Sequence, residues 1–100
     1  MRITFSIAAL VLLTACSQSR SPRIDSPRPL TAEETRVVEI ARQAVASNDT
    51  WVESAEFQLP QQRPDGGWSV TVWRLPKTPG GFRDISIDTN GRVTDYYRGH

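Results

Sequence analysis

A chain of 100 residues, 38% hydrophobic and 23% charged with a net charge of +1, has room for one small domain and no second. That balance, with no clustered basic face, excludes a nucleic-acid-binding design. Cys16 is the only cysteine and His100 the only histidine, which excludes an internal disulfide, a Cys/His metal cluster and a His-based catalytic triad.

Met1 and Arg2 give a short positive start, and residues 3–13 form an apolar run. The run is shorter than the roughly 20 residues a spanning helix needs. Ser17-Gln18-Ser19-Arg20 ends it abruptly, so residues 1–15 read as an export signal. Leu13-Thr14-Ala15-Cys16 resembles the bacterial lipobox: an aliphatic residue, two small residues, then the cysteine. The resemblance implies diacylglyceryl transfer to the Cys16 sulfur, cleavage before Cys16 and acylation, typically by palmitate, of the new amino group. Two or more acyl chains hold a protein firmly on a bilayer. This covalent lipid is the one non-protein group expected, with no cofactor and no metal. Ser17 stands where an inner-membrane retention signal has Asp, which by the same resemblance implies the outer membrane, facing the periplasm.

Residues 16–29 read as a flexible Ser/Pro/Arg tether with one large apolar residue, Ile24. Extended, such a tether would hold a domain roughly 30–40 Å from the bilayer. Its Arg20, Arg23 and Arg28 read as solvated charges, with contact to anionic headgroups as the alternative.

The domain is expected over 30–100. Thr31-Ala32-Glu33-Glu34 is a capping box, with Leu30 as its hydrophobic staple. A helix over 31–47 would bury Val37, Ile40, Ala41, Ala44 and Val45 on one stripe. Arg42 lies toward its end, where a cation suits the helix dipole, and Asn48-Asp49 marks the stop. Four strands follow. In 51–59, Trp51, Ala55, Phe57 and Leu59 alternate onto one face, and Pro60 places the end at an edge or bend. Pro64-Asp65-Gly66-Gly67 is a turn. In 68–75, Trp68, Val70 and Val72 oppose Ser69, Thr71 and Trp73. After a loop over 76–81, 82–88 buries Ile85 and Ile87, Asn90-Gly91 turns the chain, and 92–97 closes with Val93 central. The expected fold is α+β: one N-terminal helix packed across a four-stranded antiparallel meander.

Helix then meander, with Ala41 to Ala46, the Gly-Gly-Trp-Ser-Val-Thr-Val strand and the Asp88 to Val93 hairpin, resembles the PepSY domain. These are small α+β units of exported bacterial proteins that bind and restrain peptidases. The same pieces also resemble cystatin-like folds. Trp68-Ser69-Val70 through Leu75-Pro76 to Gly80-Gly81 resembles a stretch in small immunity proteins of nuclear-transport-factor-like fold. The resemblance implies an outer-membrane-anchored, non-catalytic domain whose partners are the membrane, through its lipid, and a protein, with peptidase restraint as the role. A toxin-neutralising immunity lipoprotein and a structural envelope component are the alternatives.

Enzyme signals are poor. Glu33, Glu34 and Glu39 fit dipole and solubility roles. Asp84, Asp88 and Asp95 lack the remainder of a calcium loop. Gly80-Gly81 precedes no helix that could cradle phosphate, and Ser69 and Thr71 have no histidine partner. Recognition is better placed on loop 75–81, which holds the sole lysine, Lys77. With Trp73, Arg74, Phe82 and Arg83 flanking it, these five residues form the expected binding surface.

Overall fold

The computed structural model describes residues 22–99. The export signal, Cys16, Arg20 and the terminal His100 therefore lie outside the described residues.

Strand β1 is Arg23–Asp25, followed by helix α1 at Ala32–Asn48. The capping box forms as the spacing predicts: the Thr31 hydroxyl accepts from the Glu34 amide, and the Glu34 carboxylate accepts from the Thr31 amide. Such a cap contributes about 1 kcal/mol. The helix buries Val37, Val38, Ala41, Ala44 and Val45, while Ile40 packs at the margin of the core. A 3-10 turn, Val52–Ser54, leads into β2 (Ala55–Gln58), β3 (Gln61–Gln62), β4 (Trp68–Arg74), β5 (Phe82–Ile87) and β6 (Val93–Arg98).

The fold is α+β, with one helix on a sheet, but the sheet is mixed and has six strands rather than four antiparallel ones. Its order is β1-β2-β4-β5-β6, with β3 also paired to β4. Two departures from the meander have local causes. Residues 55–62 are one strand broken at Leu59-Pro60. Phe57 pairs with Val72 but Gln61 with Ser69, so one extra residue bulges out at the proline, which has no amide to donate. The second departure is β1, which pairs parallel with β2 through Ile24↔Phe57. The expected tether is thus part of the sheet from residue 23, because Ile24 between two exposed charged neighbours can bury itself at an open strand edge.

The core lies between α1 and one face of the sheet. Ala55, Phe57, Trp68, Val70, Val72, Ile85 and Ile87 all point into it. Each large apolar side chain buried there contributes about 1.5–3 kcal/mol. The third expected strand, 82–88, ends one residue earlier at Ile87, and Val93 is 41% exposed rather than central. A bulge at Thr94 shifts the β5–β6 register just before it and leaves the start of β6 at the rim. Gly91, at φ +83, supplies the left-handed turn between these strands.

Candidate functional site

The sheet register sorts the candidate residues onto two faces. Directly paired residues share a face, so Arg23, Glu56, Trp73 and Phe82 form one row on the side away from the helix. The next row on that open face holds Asp84 and Tyr97. Trp73 and Phe82 stack at 5.2 Å between ring centroids, tilted by 44°, and Phe82 meets Tyr97 at 6.5 Å. Tyr97 is 46% exposed. The Lys77 ammonium reaches back from loop 75–81 to lie 5.7 Å from the Trp73 ring centre and 3.2 Å from Glu56 Oε1. Polar groups flank the aromatics: the Thr71 hydroxyl donates to Asp84 at 2.8 Å.

The loop presenting Lys77 is tied at both ends. The Arg74 amide donates to the Gly81 carbonyl, and the Leu75 amide donates to the carbonyl of Ser54, the last residue of the 3-10 turn. The Leu75-Pro76 peptide is cis. Gly99 closes over Phe82; a Cβ there would fall 2.2 Å from the ring. A side chain at position 99 would therefore force the Phe82 ring or the backbone beside it to shift.

Two of the five expected residues leave this surface. Arg74 pairs across from Ala55 and Arg83 from Val72, both helix-face positions, so neither joins Trp73 and Phe82. Period-2 alternation forbids neighbours such as Phe82 and Arg83 from sharing a face. The structure brings together Trp73, Phe82 and Lys77, and adds Tyr97 and Glu56.

Arg83 instead builds a polar cluster at the end of α1. It donates to both Asp49 oxygens, at 3.0 and 3.2 Å, and its guanidinium lies 5.1 Å from the Trp51 ring centre. The Tyr96 hydroxyl donates to the same carboxylate. Burial pushes the Asp49 carboxyl up, but hydrogen bonds from Arg83 and Tyr96, with the Arg83 charge, outweigh it and hold the group below its ordinary range. Burial first, then the bond to Asp49, pushes the Tyr96 phenol above its usual value. Arg42 does not serve the helix end as expected; it pairs with Glu39, and the last turn holds no basic residue. Arg83, and Arg98 donating to the Asn48 carbonyl, supply the cations there from the sheet. The sequence signal for this cluster was Arg83 itself, a charge in register with Ile85 and Ile87, which demands a buried partner.

At the other end of α1, Arg28 grips Glu34 through two hydrogen bonds of 2.9 and 2.8 Å. That bond, then the Thr31 amide, lowers the Glu34 carboxyl to about 2. Arg28 is thus held against the helix cap rather than extended along a free spacer.

Among the described residues no group of three or more His, Cys, Asp or Glu side chains could hold a metal ion, and no helix is long and apolar enough to cross a membrane. Asp88 accepts from the Asn90 and Arg92 amides, as a turn requires. Compared with protein-family models, curated proteins and solved structures, the chain matches none.

Proposed function

We propose that this chain is an envelope lipoprotein, exported on residues 1–15, acylated at Cys16 and facing the periplasm from the outer membrane. On this reading it displays a non-catalytic domain that holds a protein partner, in the manner of peptidase-restraining PepSY domains. The partner surface is the open sheet face centred on Trp73, Phe82 and Tyr97, with Lys77 at its border. The observation carrying this reading is the inequality of the two faces. One is sealed by α1, while the other leaves three aromatic rings in contact on the sheet. Aromatic anchors with a polar surround are the usual make-up of recognition surfaces, since they bring large contact area at low entropic cost. The lipobox resemblance at Leu13-Thr14-Ala15-Cys16 supports the location.

Photo-crosslinking in intact cells tests this. A benzophenone amino acid placed at Tyr97 should yield one discrete protein adduct, and the same probe at Gln43, on the exposed side of α1, should not. Trp73→Ala should remove the Tyr97 adduct. Indistinguishable labelling from both positions would sink the assignment of the face.

A further inference from the structure

Strand β1 determines where the chain leading to Cys16 leaves the domain. Because β1 runs parallel to β2, its first residue lies at the end of the sheet where β2 begins, β4 ends and β5 begins. Loop 75–81, the 3-10 turn, the C-terminus of α1 and the end of β6 gather at this same end. Charge is divided unevenly along that axis. Residues 22–24, 48–56, 72–83 and 98–99 hold five cations against three acids, and the other described residues hold five cations against eight acids. Arg23, Arg74, Lys77 and Arg98 are all exposed on the cationic end, with Trp73 beside Lys77.

We propose that this end of the sheet rests on the phospholipid surface, with Arg23, Arg74, Lys77 and Arg98 among the headgroup phosphates. The inference rests on the reading of Cys16 as the lipid-bearing residue. Pairing of 23–25 with β2 and the Arg28–Glu34 grip remove these residues from the spacer. From Cys16 to Pro22 the chain can then reach at most about 20 Å. At physiological salt, charges act over about 8 Å. A tether this short keeps the domain near the surface, and the end from which the chain leaves the sheet is the one with the cation excess. Trp and Tyr favour the headgroup level, where an apolar ring and a polar tip are both accommodated. Standing on this end, the sheet sets the Trp73 row of its open face nearest the headgroups, while the Asp84–Tyr97 row lies farther from the bilayer.

The test uses the full-length acylated protein in vesicles of phosphatidylethanolamine and phosphatidylglycerol. Thr78→Cys, in loop 75–81, and Asn90→Cys, in the opposite hairpin, each carry a fluorescent maleimide, and a headgroup-linked quencher reports proximity. Acylated Cys16 has no free thiol, so the wild-type chain should take no label. The expected result is quenching at 78 about threefold that at 90, with the ratio falling toward one in Arg74→Glu/Lys77→Glu or when phosphatidylglycerol is omitted. Equal quenching at both sites with an unlabelled wild type overturns the orientation and leaves the anchor standing. A ratio indifferent to charge reversal overturns the role of the cations. A wild type that takes label at Cys16 overturns both readings. Shielding of position 78 by a copurifying protein, without lipid quenching, assigns this end to a protein and overturns the proposal.

Discussion

Arg83 of β5 holds Asp49, the residue that ends α1, through two parallel hydrogen bonds across 34 residues of sequence, and each side chain is only 12% exposed. An acid at a helix C-terminus is disfavoured by the macrodipole, and a guanidinium on the core face of a sheet is disfavoured by desolvation. Each partner answers the other's deficit, and Tyr96 fills a remaining position on the carboxylate. Removing one side leaves a buried charge unpaired. Arg83→Met should therefore cost about 3 kcal/mol. Arg83→Lys, which keeps charge but not the paired geometry, should fall between. Urea denaturation midpoints read both values. A loss under about 1 kcal/mol for Arg83→Met would place the pair with ordinary surface ion pairs.

Glu34 sets an acid limit on the fold. Its carboxyl is held near 2 against an ordinary 4.5, chiefly by hydrogen bonds from Arg28. The unfolded chain takes up the proton first, so the stability this group contributes is whole above about pH 4.5 and drains as pH falls toward 2. Asp49 and Glu39 are shifted in the same direction. Glu34→Gln should thus lie well below wild type near neutrality and approach it on acidification. Denaturation midpoints at about pH 6 and about pH 3 check the sign. A gap that stays constant over that range would show that Glu34 stabilises by packing alone.

The helix and the three longest strands were legible because their signals are local. The Thr31–Glu34 box and the 3.6-residue stripe define α1, and Val70, Val72, Ile85 and Ile87 alternate cleanly. What could not be read depended on pairing across distance. Ile24, alone among Ser, Pro and Arg, carries no periodic signal, and its place beside Phe57 follows only once β2 has an open edge. Arg28 resembles a solvated tether charge until Glu34 is placed by its cap. Trp73, Lys77 and Phe82 were found because loop and flanking aromatics are neighbours in sequence. Tyr97 was missed as their partner, because the β5–β6 register that sets it opposite Asp84 includes a bulge at Thr94. Grouping Arg74 and Arg83 with that surface overlooked strand alternation already visible in the sequence.

Gly99 and Phe82 are coupled by contact. Adding a methyl at Gly99 sets it within 2.2–2.6 Å of three ring atoms of Phe82, so ring or strand end must move. Gly99→Ala should cost about 1–2 kcal/mol by overpacking. It should also alter the near-ultraviolet dichroism of the Trp73–Phe82–Tyr97 group. Phe82→Leu supplies the shorter side chain that makes room, so the double variant should recover part of the loss. A double-mutant cycle with no coupling would show that the chain end moves freely away from the ring.

Strand β1 makes the strongest claim against a free spacer, since a tether would be indifferent to its own sequence. Ile24 lies beside Phe57 in the register, packs against the core, and is only partly buried. Truncation should therefore cost less than at a sealed position. Ile24→Ala is expected to lose about 1–2 kcal/mol, where a fully buried isoleucine would lose 2–5. Because β1 covers one edge of β2, the same variant should speed hydrogen exchange at amides along 55–58 while leaving those of β4 and β5 protected. Arg28→Ala should act in the same direction by releasing the segment that follows β1 from Glu34. Unchanged stability and exchange in both variants would return residues 22–29 to the spacer.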